Sequence, residues 1–185
     1  DGLAALAGSP EYPRVAGSLP DHVRSLQQPV RLSALCALGR AAASLASVPP
    51  GGVPDLDNKG GCLGRAAASI APFLLKLAQS PVQEERTGAL FALEGVCLHA
   101  WGVQAAACVE GFLAHIMDRR VETSKRALEE KFAVARACAA CERLGDIVGP
   151  EQAGRLIAFV AEGPFVVMGA GRGGDAVPQV ATQKA

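Results

Sequence analysis

The chain has 185 residues, half of them hydrophobic, 4% aromatic and 19% charged, and its 18 basic and 18 acidic side chains cancel. That length predicts one domain, or part of a longer array, with a sizeable buried core, and the composition excludes an extended disordered chain. Zero net charge removes the broad attraction on which non-specific nucleic-acid or anionic-membrane binding depends.

The chain opens at Asp1 without a basic-then-apolar leader, which reads as a cut or processed start with no signal peptide. The first helix is predicted over 29–46, with Leu32, Leu35, Cys36, Gly39, Ala42 and Ala43 on one face. A loop over 47–61 follows, marked by Pro49-Pro50-Gly51-Gly52, Pro54 and Gly60-Gly61. Helix resumes over 62–78, where Pro72 either kinks one helix or occupies the first turn of a second. After Ser80-Pro81 a helix is predicted over 82–99, with Arg86, Leu90, Leu93 and Cys97 forming an apolar stripe entered by an arginine, and Trp101-Gly102 closing it. The next spans 104–117 with Val109, Phe112, Leu113 and Ile116 inward. The longest covers 122–144, with Leu128, Phe132, Ala135 and Ala139 on one face, and ends at Gly145 and Gly149-Pro150. A last helix covers 151–160. A short apolar extended run, 165–168, then leads into a Gly-rich tail, 169–185, predicted to be disordered.

The stretch 88–109 has the length of a membrane span. Glu94, His99 and Gln104 interrupt it and Ala100-Trp101-Gly102 breaks it, so two buried helices joined by a turn are expected instead. Six cysteines, Cys36, Cys62, Cys97, Cys108, Cys138 and Cys141, sit mostly in Ala/Leu-rich helical runs. They read as small packing hydrophobes of a reducing compartment, which points to the cytoplasm.

An internal repeat decides the fold class. Ala34-Leu35-Cys36-Ala37-Leu38 returns as Ala89-Leu90-Phe91-Ala92-Leu93, and Ala127-Leu128 follows with a helix and a turn in front of it. With the 47–61 loop set aside the period is about 40 residues, the mark of HEAT and armadillo arrays. The expected fold is therefore all-α, a HEAT/armadillo-like α-solenoid of stacked helix pairs over 1–168, with a flexible tail over 169–185.

Few motifs point to chemistry. Gly169-Ala170-Gly171-Arg172-Gly173-Gly174 fits a dinucleotide-binding pattern, but Pro178 and the approaching end of the sequence leave no room for the helix and strand that pattern needs. Cys138 and Cys141 form a C-x-x-C late in a predicted helix, without the second ligand pair a zinc site needs or the helix-start position of a redox pair, so packing is the reading. His22, His99 and His115 are scattered. No catalytic, cofactor-binding or metal-binding residue is therefore assigned. The run from Asp118 to Arg126, continued by Glu129, Glu130 and Lys131, is dense in charge at a turn between helices. It fits a solvated corner of weak ion pairs as well as a rim that meets a charged partner.

Over 80–167 the chain resembles the C-terminal part of the proteasome non-ATPase regulatory subunit 5 family. The residues that carry the resemblance are Pro81 and Glu84 ahead of Ala89-Leu90, then Trp101, then Asp118-Arg119 with Val121-Glu122, Lys125 and Lys131-Phe132. Asp146-Ile147, Gly149 and Arg155 follow, and the closing Glu162-Gly163-Pro164-Phe165-x-Val167 completes the set. The chain departs from the family in being richer in Ala, Gly and Arg, with a different tail after Val167 and a longer loop at 47–61. The resemblance implies a non-catalytic assembly chaperone of the 26S proteasome base. Such a protein grips the C-terminal domain of an ATPase subunit, holds other base-precursor subunits together and delays docking on the core particle. It implies no cofactor, nucleic acid, membrane or small-molecule substrate, and a cytoplasmic location with a nuclear pool compatible. If the second helix of each pair meets the partner, the candidate contacts are Glu84, Glu85 and Arg86, with Arg119, Arg120, Glu122, Lys125, Arg126 and Glu129 at the start of the long helix. A general helical scaffold for some other complex is the alternative.

Overall fold

Proline, glycine and serine set several of the helix boundaries in the computed structural model, which describes residues 9, 11–47, 61–122 and 124–165. Pro13 lies in the first turn of α1 (Tyr12–Val23) and Pro29 in the first turn of α2 (Gln28–Ala46), where a missing N–H costs no hydrogen bond. α3 (Gly61–Ala78) is followed by α4 (Gln83–Cys97), α5 (Ala100–Ala107), α6 (Phe112–Met117), α7 (Lys125–Ala139), α8 (Leu144–Val148) and α9 (Pro150–Glu162). Ser124 caps α7 by accepting from the Ala127 N–H at 3.1 Å. Gly149 and Gly163, both at φ +84°, bracket α9 in a conformation that only glycine adopts freely.

Among the described residues all regular structure is helical, as the composition predicts. Several boundaries differ from the sequence expectation. α1 was not anticipated at all. Pro72 lies inside one continuous α3, so it does not start a second helix. Trp101-Gly102 opens α5 and does not close α4: His99 is extended, and its carbonyl accepts the Gly102 and Val103 N–H groups at 3.0 Å each. The helix expected over 104–117 is broken into α5 and α6 by Gly111, whose φ of +81° interrupts the helical path. The helix expected over 122–144 shortens to Lys125–Ala139, because the Ser124 cap starts it late and leaves Glu122 outside. The 47–61 loop (but for its ends), the extended run beyond Phe165, the tail and its Gly-rich motif lie outside the described residues.

The helices pack in two rows. α1, α3, α5 and α8 contact one another in that order along one row, and α2, α4, α7 and α9 do so along the other. Across the rows α1 packs on α2, α3 on α4, α6 on α7 and α8 on α9. The core lies between the rows, built from Leu35, Leu38, Ile70, Leu74, Leu90, Leu93, Phe112, Ile116, Val134 and Leu156. α3 is the described helix long and apolar enough to cross a membrane, but most of it is buried among its neighbours. The stretch 88–109 is divided between α4 and α5, as expected.

Two details follow from small residues. A Cβ placed on Gly95 would lie 2.4 Å from the Gly39 carbonyl oxygen, so α2 and α4 cross at backbone contact. A Cβ on Gly39 would lie 2.7 Å from the Phe91 ring, so the bare glycine is what lets that ring lie against α2. On α7 the deepest side chains are Lys131, Val134, Ala135 and Cys138, while Leu128, Phe132 and Ala139 are only partly buried, a face rotated from the expected one. Cys97 and Cys138 are buried packing residues, whereas Cys36 and Cys108 are exposed.

Trp101 is partly buried against the core and stacks on His99, ring centroids 4.9 Å apart at 14°. Full burial of a tryptophan would make truncation cost about 3–5 kcal/mol. With one side open, Trp101→Ala is expected to cost about 2 kcal/mol, read by urea unfolding followed by circular dichroism. A loss of 4 kcal/mol or more would contradict this half-open placement.

Candidate partner-binding surface

Three turns lead into α2, α4 and α7 of the second row and share one construction. Ser25 Oγ accepts from the Gln27 N–H and Ser80 Oγ from the Val82 N–H, both at 3.2 Å, and Asp118 Oδ1 accepts from the Arg120 N–H at 3.0 Å. A cation from the following helix then donates to the carbonyl of that same residue. Arg31 donates to Ser25, Arg86 to Ser80 at 3.1 Å and Lys131 to Asp118 at 2.7 Å. Each arginine also reaches an acid one pair further on. Arg31 pairs with Glu85, and Arg86 Nε lies 3.6 Å from Glu122 Oε2. Lys131 Nζ closes the cluster 3.7 Å from Glu122 Oε1, with both side chains almost completely buried.

The two arginines tie neighbouring helix pairs together along one edge, and Lys131 anchors Glu122 at the end of the series. The Arg31 guanidinium holds the Glu85 carboxyl below its usual range, with a smaller contribution from the Ser80 hydroxyl, which donates to it at 2.9 Å. Burial pushes the Lys131 amine down, and the facing Glu122 carboxylate opposes that push. Arg119 makes the last tie. It donates to the Phe159 and Gly163 carbonyls at 3.1 and 2.8 Å, pairs with Glu162 at 3.1 Å and lies 4.0 Å over the Phe159 ring. The carbonyls at the C-terminal end of α9 thereby gain a cation, which also suits the helix dipole.

The nine candidate contacts therefore divide. Glu85, Arg86, Arg119 and Glu122 are engaged inside the chain. Glu84, Arg120, Lys125, Arg126 and Glu129 are exposed. Arg120, Lys125 and Arg126 make open pairs with Asp118 at 3.1 Å, Glu129 at 3.8 Å and Glu130 at 2.8 Å, and such pairs hold their charges only loosely. Arg31 and the burial of Lys131 were not foreseen. The signal for Arg31 lay in the repeat itself: Arg31 stands three residues before Ala34-Leu35 as Arg86 stands three before Ala89-Leu90, each six residues after a serine.

The remaining titratable groups offer packing. Cys97 is fully buried, and its thiol is pushed well up by a hydrogen bond with Cys138 and by burial, the opposite of an activated thiol. Among the described residues no group of three or more His, Cys, Asp or Glu side chains could hold a metal ion. His99 Nε2 bonds the Ala42 carbonyl at 2.8 Å, and His115 is buried beneath α7 near Lys131. Burial lowers both imidazoles, and at His115 the Lys131 ammonium lowers it further. The unfolded chain takes up protons near pH 6.5 that the folded chain resists, so the contribution present at neutral pH is lost as pH falls from about 6.5. The thermal midpoint is expected to drop between pH 7 and pH 5, and a His99→Gln/His115→Gln variant to show a flatter profile in that window. Equal slopes for the two proteins would contradict it.

The match to known proteins falls on this same region. A family model described as proteasome non-ATPase 26S subunit matches residues 61–183. The 26S proteasome non-ATPase regulatory subunit 5 of Bos taurus is 26% identical over 91 residues, covering 49% of this chain and 18% of that protein. The chain thus spans less than a fifth of that relative's length. Because the family model covers well over half of the sequence, from the third helix onward, the chain belongs to the proteasome non-ATPase 26S subunit family.

Proposed function

We propose that the chain is a segment of a HEAT/armadillo-like α-solenoid that acts without catalysis as a chaperone in assembly of the 26S proteasome base. In this reading it binds the C-terminal domain of one ATPase subunit, alongside other base-precursor subunits, in the cytoplasm. The family match over 61–183 is the observation that carries the reading. The two-row packing of helix pairs supports the solenoid, because each pair buries its apolar face against the next and leaves a long surface free. The exposed charges Glu84, Arg120, Lys125, Arg126 and Glu129 supply the contacts. Charges at a rim set orientation and association rate and leave binding reversible, as a chaperone that departs requires.

The test is titration of the chain with the C-terminal domains of the six proteasomal ATPases, one at a time, by isothermal calorimetry. Binding to one, weakened about tenfold by combined reversal of Arg120, Lys125 and Arg126 to glutamate, is the expected result, since every 1.4 kcal/mol is a factor of ten. Absence of binding to all six would overturn it.

A further inference from the structure

A shallow groove of about 330 Å³ crosses the outer side of the second row, where α2 and α7 both pack on α4. Its apolar part is the Phe91 ring, 39% exposed and seated over Gly39, with the exposed Cys36 beside it. Two guanidinium groups enter from the two flanking helices, Arg40 from α2 and Arg126 from α7. Arg40 is exposed and has no hydrogen bond or ion pair among the described residues. Arg126 uses Nε on Glu130 Oε1 at 2.8 Å, and its two terminal nitrogens are unengaged among the described residues. Glu130 is held on both oxygens, Oε1 by the Arg126 guanidinium that balances its charge and Oε2 by the Thr87 hydroxyl, which donates to it at 2.9 Å.

We propose that this groove docks a segment of a partner protein carrying one large apolar side chain next to a single carboxylate. The apolar residue covers Phe91, an exposed aromatic of the kind that anchors interfaces. The carboxylate meets the open guanidinium groups, whose planar forks suit bidentate pairing with it. Charge complementarity also limits the partner. Glu94, on α4 one turn beyond Phe91, is half-buried and unpaired among the described residues, and it repels a second carboxylate on that side. The occupant is therefore an apolar-acidic pair and not an acidic run.

The source of the segment rests on the reading above, in which it belongs to a proteasomal ATPase domain; the chemistry of the groove does not. The test accordingly uses a displayed library of short random peptides selected against the full chain and counter-selected against Arg40→Glu/Arg126→Glu. The expected consensus is an aromatic or leucine beside one Asp or Glu. A synthetic peptide of that consensus is expected to lose about tenfold in affinity for Phe91→Ala and for Arg40→Glu, and none for Arg14→Glu, an exposed position on α1 outside the groove. Arg40 is exposed, so its variant keeps the test sound if Phe91→Ala unfolds, and a thermal melt reports that. An acid-free or basic consensus, or unchanged affinity for Arg40→Glu, overturns the proposal. So does a groove occupied by a second copy of the chain, seen as self-association in sedimentation that Arg40→Glu abolishes. A peptide consensus as expected, with none of the six ATPase domains bound, would sink the ATPase reading and leave the groove assignment standing.

Discussion

Glu122→Ala is expected to destabilise the fold by about 3–5 kcal/mol, the loss seen when one partner of a buried charge pair is removed. The Glu122 carboxylate is 4% exposed and faces two cations, Lys131 at 3.7 Å and Arg86 at 3.6 Å. Without it the Lys131 ammonium, 2% exposed, would keep the Asp118 carbonyl as its hydrogen-bond acceptor and lose its counter-ion. The cost is that of the stranded charge and not the worth of the pair. Glu122→Gln/Lys131→Met is accordingly expected to recover part of the loss, and a double-mutant cycle in urea measures the coupling. The pH dependence has a definite sign. Burial already lowers the Lys131 pKa in the folded chain, so raising pH from that lowered value towards 10.5 favours folding. In Glu122→Ala the amine deprotonates at still lower pH, and the gap from the parent chain narrows on the alkaline side. A loss under about 1 kcal/mol, or a gap that does not change with pH, would show that the cluster is open to water.

That cluster also marks where reading residues along the chain stops working. The apolar stripe Leu90, Leu93 and Cys97 is buried as expected, and Phe112 and Ile116 point inward, because period and residue type alone place them. α1 was not expected, and its Pro13, Gly17 and Pro20 are residue types that ordinarily weaken a helix. Pro13 occupies a first turn, and Tyr12, Ala16 and Val23 still make a buried stripe. The inward face of α7 was turned because a lysine defaults to the surface. Lys131 lies inside only because Glu122 and the Asp118 carbonyl, brought round by a turn, neutralise it. The density of charge from Asp118 to Arg126 was legible as such. Which of those charges stay inside was not, since Arg86 meets Glu122 across two intervening helices and Arg119 meets the end of α9. The turn ladder was within reach of the sequence: the serine, the arginine six residues later and the Ala-Leu pair behind it recur together.

Gly95→Ala is expected to cost about 3 kcal/mol, at the upper end of what overpacking a tight contact costs. In an open helix the same change would be favourable by up to about 1 kcal/mol, from helix propensity and the narrower unfolded ensemble. Geometry reverses the sign here. The new Cβ would lie 2.4 Å from the Gly39 oxygen and 3.0 Å from its Cα, and backbone on a packed helix cannot swing aside as a flexible side chain can. α4 would have to move off α2, opening the contact on which Leu35, Leu38, Leu90 and Leu93 are stacked. Gly154→Ala in α9 is the matched control, since a Cβ there meets nothing within 4 Å. It is expected to raise stability by about 0.5–1 kcal/mol. Urea unfolding of the two variants beside the parent chain decides the matter through opposite signs for one chemical change. The displacement also spreads the floor of the groove at Phe91, so Gly95→Ala is expected to weaken peptide binding even where it remains folded. Equal and small effects at Gly95 and Gly154 would mean that α2 and α4 do not cross at backbone contact.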